Sequence, residues 1–306
     1  MRPVAITGLG VVCAVATSPD ELVSAVDDGA CGIAPAGDHR DLLPIAGLAQ
    51  ADVDIRPLLK RRKDRKLLPR SAELALWAAH QALTPDRPQA LGLLLGVGRE
   101  PPDAGETEQA LVRSMRDGRF DPDLLAGPGR AAYPPLASLR TLPNLVLAHI
   151  AIQLDVTGPG GTRAGGEAAG LAAVVDAWHC IGEGRADAML TGGADSFVDA
   201  GSARDQVRLG AAGMDRAPGE AAAMLCLEAL DTAQARGARV LAVLTSGGTG
   251  VTEPSTWRSP LEGAIGSCGA AAAPLRLLEQ VCRASSGSLE VFEDSGATAQ
   301  IAWECP

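Results

Sequence analysis

Aromatic side chains and basic charge are both scarce in this sequence. Only 3% of its 306 residues are Phe, Trp or Tyr, while 46% are hydrophobic, so the core must consist mainly of Ala, Val, Leu and Ile. Lys and Arg together number 27 against 37 Asp and Glu, which leaves a net charge of −10. Nucleic acid binds to cations and stacks on aromatic rings, so this composition opposes a nucleic-acid-binding surface.

The cysteines show no metal or redox pattern. The seven cysteines are scattered, with no Cys-x-x-Cys pair and no Cys/His cluster at zinc spacing. This pattern is typical of reduced, buried thiols in a cytoplasmic protein without a metal site. No uninterrupted apolar run reaches the roughly 18 residues of a membrane span, so we also expect no membrane partner.

Common catalytic motifs are missing as well. Gly8-x-Gly10 resembles the start of a dinucleotide-binding fingerprint, but Cys13 stands where the third glycine is required. The sequence contains no Walker A motif, no His-Glu-x-x-His and no Gly-x-Ser-x-Gly elbow. The two glycines instead predict a tight turn that ends a buried strand at residues 4–7.

Short apolar runs alternate with helical patterns along the chain, and this order predicts a layered α/β fold. Residues 100–143 are rich in Pro, Gly and charge and are predicted to form an irregular excursion. A strand that starts at Ala188 is predicted to stop at Gly192. The predicted strands are 4–7, 91–97, 188–191, 222–227, 240–244, 289–292 and 299–303, and the main helices are 71–83, 144–154, 168–181, 230–236 and 271–282.

Basic residues are concentrated in one run, which holds every lysine of the protein. Residues 60–70 contain seven cations, namely Lys60, Arg61, Arg62, Lys63, Arg65, Lys66 and Arg70. One interpretation is a solvated approach to the helix that follows. The other is a docking surface for an acidic partner. The sequence leaves both open.

Several segments taken together resemble the β-ketoacyl-ACP synthases (ketosynthases), which are condensing enzymes of the thiolase fold. The segments that carry this resemblance are 4–12, 28–33, 143–144, 158–159, 181–195, 218–223, 227–228 and 233–238. The resemblance implies an α/β, thiolase-like layered fold, with two related mixed sheets between helices and a reduced C-terminal half. It implies one compact unit with an N-terminal half over residues 1–200 and a shortened C-terminal half over residues 201–306.

The sequence departs from the family at the residues that carry its chemistry. By the resemblance, the nucleophilic cysteine falls at Glu167, and residues 263–271 occupy the loop of the last catalytic histidine. Cys180 lies a full helix further on and is expected to pack in the core. No His follows His179 and no Lys follows Lys66, so the two histidines and the lysine of the family are absent. Decarboxylative condensation needs a thiolate and donors that stabilise an enolate, so we expect no ketosynthase activity.

The resemblance also implies a partner. Thiolase-fold proteins pair across the strand that leads to the nucleophile turn, here residues 160–165, and chain-length factors of this fold lack the cysteine and form heterodimers with an active ketosynthase. We therefore predict a non-catalytic, chain-length-factor-like subunit in type II polyketide or fatty-acid-like biosynthesis. Its partners would be an active ketosynthase and an acyl carrier protein, and it would have no cofactor besides the carrier's phosphopantetheine arm. The expected binding residues are Arg163, Gly165, Gly166 and Glu167 at the pocket and dimer strand, and Lys60, Arg61, Arg62, Lys63, Arg65 and Lys66 for carrier docking.

Two other functions fit the same residues. The first is a malonyl-ACP decarboxylase in which Glu167 replaces the cysteine, and the second is a homodimeric binding or scaffold protein that keeps only the fold. Glu167 also has a purely structural interpretation. A carboxylate at a helix start gains about 0.3–1 kcal/mol from the helix dipole and free N–H groups.

Overall fold

A computed structural model describes the chain except residues 38–42, 85, 87, 89, 100–103 and 256, and describes residues 104, 106 and 138 by their backbone. Its β-strands are β1 (Val4–Cys13), β2 (Ile33–Pro35), β3 (Gly47–Ala49), β4 (Leu91–Val97), β5 (Met115–Arg116), β6 (Arg119–Phe120), β7 (Gly160–Ala164), β8 (Ala188–Ser196), β9 (Glu220–Ala229), β10 (Ala242–Val251), β11 (Gly287–Phe292) and β12 (Ala297–Glu304).

The α-helices of the described residues are α1 (Pro19–Asp27), α2 (Arg70–Ala82), α3 (Ala104–Val112), α4 (Pro122–Leu124), α5 (Arg130–Ala132), α6 (Ser138–Thr141), α7 (Pro143–Leu154), α8 (Glu167–Gly182), α9 (Ala200–Arg208), α10 (Leu230–Ala235), α11 (Glu262–Ile265) and α12 (Ala272–Cys282). In this part of the chain, no helix combines the length and the apolar character needed to cross a membrane.

The core of the molecule is a mixed eight-stranded sheet in the order β11-β12-β10-β1-β9-β8-β4-β7. Strand β4 runs parallel to β7 and β8, and the other neighbouring strands pair antiparallel. Helices α8 and α12 cover one face of the sheet, and α2 and α7 cover the other. Each face buries mainly aliphatic side chains, so the predicted layered α/β fold is confirmed.

The resemblance implies two sheets, and in the described strands these form one continuous sheet. Residues 242–244 at the start of β10 pair with β1, where Leu244 lies opposite Val4, and β10 pairs on its other side with β12 from Val243 to Val251. The chain after residue 240 thereby adds a three-stranded extension, β10-β12-β11, to five strands that come before it. The division of the chain into two halves at residue 200 stays a prediction. Strand β9 follows that residue in the sequence but lies between β8 and β1, which precede it.

The predicted turn at Gly8 and Gly10 is wrong, because β1 runs through both glycines to Cys13. Their function is to let α2 approach the strand closely. A Cβ atom on Gly8 would lie 2.0 Å from the carbonyl oxygen of Ala82, and one on Gly10 would lie 1.9 Å from that of Ala78. No side chain fits in that space, so glycine marks helix packing here and not a chain reversal.

The predicted end of a strand at Gly192 is wrong for the same reason. Strand β8 is entirely buried and continues to Ser196. A Cβ atom on Gly192 would lie 2.0 Å from the carbonyl oxygen of Ala223, and one on Gly193 would lie 2.0 Å from that of Ala270. Gly192, with a φ of +149°, leaves room for the backbone of the neighbouring strand β9, and Gly193 leaves room for the loop after α11.

The excursion before α7 is more ordered than its composition predicted. Residues 100–103 lie outside the described part of the chain. The rest contains α3, a small hairpin of β5 and β6, and the short helices α4 to α6. Its surface exposes large apolar side chains, namely Leu111, Val112, Phe120, Leu125, Leu136 and Leu142.

Candidate functional site

Glu167 is the first residue of α8, directly after the edge strand β7. The Gly165-Gly166 pair makes the turn from strand to helix, and Gly166 is the N-cap. Helix α8 is held firmly against the sheet because Gly170 packs on the backbone of Ala270 and on Gly96 of β4. The position of Glu167 is therefore set by a helix that packs closely on the sheet.

The carboxylate of Glu167 forms an ion pair with Arg216. The Nη2 atom of Arg216 donates a hydrogen bond of 2.9 Å to Oε1 of Glu167, and its Nε atom donates one of 2.8 Å to Oε1 of Glu262. The side chain of Arg216 is 6% exposed, while those of Glu167 and Glu262 are 20% and 13% exposed. One buried cation thus holds two carboxylates, and we call this set the Glu–Arg–Glu triad.

The triad joins three separate segments of the chain. Glu167 begins α8, Arg216 lies in the loop before β9, and Glu262 begins α11. Burial lowers the pKa of Arg216, but its hydrogen bond to Glu262 and the charges of Glu262 and Glu167 outweigh burial, so this pKa lies above its ordinary value. Arg216 therefore stays charged at any pH at which the protein is folded.

Another carboxylate, Glu293, binds the free end of α8. The backbone N–H of Ala168 donates a 2.9 Å hydrogen bond to Oε1 of Glu293, which lies in the turn between β11 and β12. The hydroxyl of Ser295 donates to the other oxygen of Glu293, at 3.1 Å. Glu293 caps this amide of the helix, and Glu167 is directed to Arg216.

A cleft of about 330 Å³ opens beside the start of α8. Two of the predicted pocket residues, Arg163 and Gly165, line it, and Glu167 does not. The guanidinium of Arg163 pairs with Asp176 of α8, and this hydrogen-bonded pair raises the pKa of Arg163. The other lining residues are Ala164, Ala168, Ala169, Ala172, Thr249, Gly250, Val251, Glu293, Ala297 and Thr298.

No cysteine takes the place of the missing nucleophile. Cys180 is 1% exposed and lies among core residues of α8, as predicted, and burial raises the pKa of its thiol. Cys268 is the cysteine of the loop that the resemblance assigned to the last histidine. It is fully enclosed, and burial raises the pKa of its thiol well above the ordinary value. Neither thiol is available as a thiolate.

The loop after α11 packs as backbone against the sheet. The carbonyl oxygen of Ala270 contacts Gly170 and Gly193, and the N–H of Ala270 donates a 3.2 Å hydrogen bond to buried Asp195. This loop fills the space beside α8 and carries no His, Lys, Asp or Glu. Within the described residues, no group of three or more His, Cys, Asp or Glu side chains could hold a metal ion.

The basic run lies on the surface before α2, partly as a short 3₁₀ helix at Arg62–Leu67. Lys60 pairs with Asp155 and Arg65 pairs with Glu73. Arg70, the first residue of α2, pairs with Glu73 and Glu220. The remaining four cations of the run have no ion-pair partner in the described part of the chain, namely Arg61, Arg62, Lys63 and Lys66. The run shares no ion pair, hydrogen bond or cleft with Glu167 among those residues.

A second hollow, of about 350 Å³, lies between this run and α7. Arg61 and Asp64 form its polar side, and Leu145 and Ile152 of α7 form its apolar side. The structure thus brings the two sets of predicted binding residues to two different places.

Sequence reasoning missed Arg216, Glu262 and Glu293, which surround the start of α8. Arg216 and Glu262 lie 49 and 95 positions after Glu167, at no spacing that a motif records. An isolated Arg or Glu in a loop is ordinarily a solvated side chain. Their burial is produced by the packing of three distant segments, so no local signal marks them.

The comparisons with known proteins identify the family of this chain. The family described as "Beta-ketoacyl synthase, N-terminal domain" matches residues 1–233. The chain belongs to the β-ketoacyl synthase family. Nodulation protein E of Rhizobium meliloti (strain 1021) is 31% identical over 265 residues, which cover 79% of this chain and 61% of that protein.

A further relative is the 3-oxoacyl-[acyl-carrier-protein] synthase 2 of Synechocystis sp. (strain ATCC 27184 / PCC 6803 / Kazusa). It is 26% identical over 265 residues, which cover 78% of this chain and 60% of that protein. The chain therefore spans about three fifths of the length of the curated relatives it matches.

Solved structures confirm the fold. The ishigamide ketosynthase/chain length factor superposes with a TM-score of 0.79 at 18% identity, covering 100% of this chain and 99% of that chain. A β-ketoacyl synthase from Burkholderia phymatum STM815 gives a TM-score of 0.79 at 15% identity and covers 100% of both chains.

Proposed function

We propose that this protein is a non-catalytic, chain-length-factor-like subunit that pairs with an active ketosynthase in type II polyketide or fatty-acid-like biosynthesis. The observation that carries the proposal is the ion pair between Glu167 and Arg216. Glu167, which the resemblance places at the family's nucleophile position, is held by a buried arginine, and this contact supports a structural function.

The chemistry of the triad supports this proposal. Condensation needs a thiolate that carries the acyl chain and neutral or cationic donors for the enolate oxygen. The only cation next to Glu167 in the described residues is Arg216, and it already donates to two carboxylates. An enolate placed there would meet two negative charges and one cation, which is unfavourable.

The edge of the sheet supports pairing with a second subunit. Strand β7 is the end strand of the described sheet. The carbonyl of Pro159 and the N–H of Gly165 bond to β4. In a parallel ladder the residues that bond to one neighbour alternate, so the N–H and C=O groups of Gly160, Thr162 and Ala164 point away from β4. They are free to receive another strand.

The surroundings of this edge favour a protein partner. Helix α7 packs beside β7. Leu142, at the N-cap of α7, and Ile152 within it are 49% and 60% exposed. Exposed large apolar side chains on a helix that packs beside an open strand are typical of an interaction site. The fold neighbours include a protein named a ketosynthase/chain length factor and a type II polyketide acyl carrier protein in complex with its ketosynthase.

The first experiment is native mass spectrometry of this chain alone and coexpressed with the ketosynthase of a neighbouring gene. We expect a 1:1 heterodimer. Thr162→Pro removes an outward N–H group and spares the ladder with β4, so it should abolish the heterodimer while the free chain keeps its melting temperature. Thr162→Val keeps the N–H group and serves as the matched control, with the heterodimer retained.

A stable homodimer that ignores the ketosynthase would contradict the proposal and favour the scaffold interpretation. Release of CO₂ from malonyl-ACP by this chain alone, lost in Glu167→Ala, would contradict it in favour of the decarboxylase. A heterodimer that survives Thr162→Pro would place the interface elsewhere than β7.

A further inference from the structure

The guanidinium of Arg216 is a carboxylate-binding group, and its ligand is part of the same chain. It is almost fully buried, and it donates one hydrogen bond to Glu262 from Nε and one to Glu167 from Nη2. We propose that Arg216 forms a binding site for a small carboxylate, which Glu167 fills from within, and that shortening Glu167 opens this site to an external carboxylate such as acetate.

The atoms that Glu167→Ala removes define which external carboxylate fits the opened site. Glu167→Ala deletes the Cγ atom and the carboxyl group, and acetate has the same set of heavy atoms. The remaining donors of Arg216 would stay buried without a partner, and an unsatisfied buried donor is costly. Acetate would restore both the hydrogen bond and the charge balance. A longer carboxylate such as butyrate exceeds the deleted volume and is expected to bind much more weakly.

The fixed orientation of Arg216 and the start of α8 both favour an anion in this position. Glu262 holds the Nε side of Arg216, which fixes the guanidinium and leaves its Nη2 group for the ligand. The site lies at the start of the 16-residue helix α8, whose N-terminal dipole favours negative charge. Glu293 already binds the N–H of Ala168, so the external carboxylate would depend on Arg216.

The test is thermal melting of purified Glu167→Ala in sodium acetate, sodium butyrate and sodium chloride at equal ionic strength. Loss of one partner of a buried ion pair should lower the melting temperature by roughly 5–10 °C. Acetate at about 100 mM should restore half or more of that loss because it binds only the folded state. Butyrate and chloride should restore little.

Three further variants isolate Arg216 as the cause. Glu167→Gln keeps the volume of the side chain, so it should melt lower than the natural protein and show no response to acetate. Glu167→Ala combined with Arg216→Met should lose the response as well. Glu183→Ala, which removes an exposed ion pair with Arg185 at the other end of α8, is the matched control and should melt almost unchanged in all salts.

Equal shifts with acetate and chloride, or an equal acetate response in the Arg216→Met double variant, would overturn the inference. If Glu167→Ala accumulates only as inclusion bodies, refolding with and without acetate gives the same comparison through the folded yield. All measurements use the chain alone, so they do not depend on the proposed subunit function, and either proposal can fail while the other stands.

Discussion

At the scale of single residues, the seven cysteines divide by exposure. Cys13, Cys180, Cys226 and Cys268 are buried, Cys282 and Cys305 are partly exposed, and Cys31 is exposed. All seven are free, as predicted, but the expectation that all are buried is wrong for Cys31, which lies on the surface beside the carbonyl of Gly263. Burial raises the pKa of Cys282 to about 11.

We predict that a thiol reagent such as Ellman's reagent labels one cysteine rapidly at pH 7–8, and that Cys31→Ser removes this fast phase. Only the thiolate reacts, so labelling of Cys282 should be slow at pH 8 and should accelerate as the pH rises toward its pKa of about 11. The four buried cysteines should react only after unfolding. Two or more fast thiols in the natural protein at pH 7 would contradict these assignments.

At the scale of elements, α8 sits on the sheet through glycine contacts. Gly170 lies in the interior of the helix, where glycine is about 1 kcal/mol less favourable than alanine. The unfavourable helix propensity of Gly170 is compensated by packing, because glycine lets the loop after α11 approach the helix closely. A Cβ atom on Gly170 would lie 1.9 Å from the carbonyl oxygen of Ala270. Helix propensity and packing therefore oppose each other at this position.

We predict that Gly170→Ala destabilises the protein by about 1–3 kcal/mol despite the better helix propensity, because an overpacked core must shift backbone. The matched control is Gly263→Ala in α11, where a Cβ atom meets nothing within 4 Å. This control should leave stability unchanged or slightly increased. Urea unfolding of both variants measures the difference, and a neutral Gly170→Ala would show that the contact is loose.

At the scale of the whole molecule, charge is distributed unevenly. The chain carries a net charge of −10, yet its three lysines all lie within residues 60–66. Arg61, Arg62 and Lys63 have no ion-pair partner in the described part of the chain and lie at one surface. An isolated basic patch on an acidic protein attracts acidic partners and is sensitive to salt. We propose that it binds the acyl carrier protein.

We predict that reversing Arg61, Arg62 and Lys63 to Glu weakens binding of the acyl carrier protein at least tenfold at low salt, and that the difference shrinks as ionic strength rises. The control reverses the exposed Arg204, Arg208 and Arg239. Both variants change the net charge of the chain equally, so only a local effect separates them. Binding by titration calorimetry that weakens equally in both would refute a docking patch.

The sequence predicted the order of elements well and the function of its glycines poorly. The helix expected at residues 168–181 is α8 at Glu167–Gly182, and the one expected at 71–83 is α2 at Arg70–Ala82. The sequence pattern predicts a turn at Gly8 and Gly10 and a strand end at Gly192. These glycines lie inside long strands because backbone from other elements packs on them, and the sequence pattern carries no information about that distant contact.

The sequence by itself determined which residue types this chain lacks, and its motifs predicted the family to which the chain belongs. The missing nucleophilic cysteine and the lack of His and Lys in the second half are properties of composition and order, and they need no coordinates. The environment of Glu167 was decided only by the tertiary structure. Arg216 and Glu262 reach it because three segments far apart in the chain pack together, and burial turns these ordinary surface residue types into one buried ion-pair network.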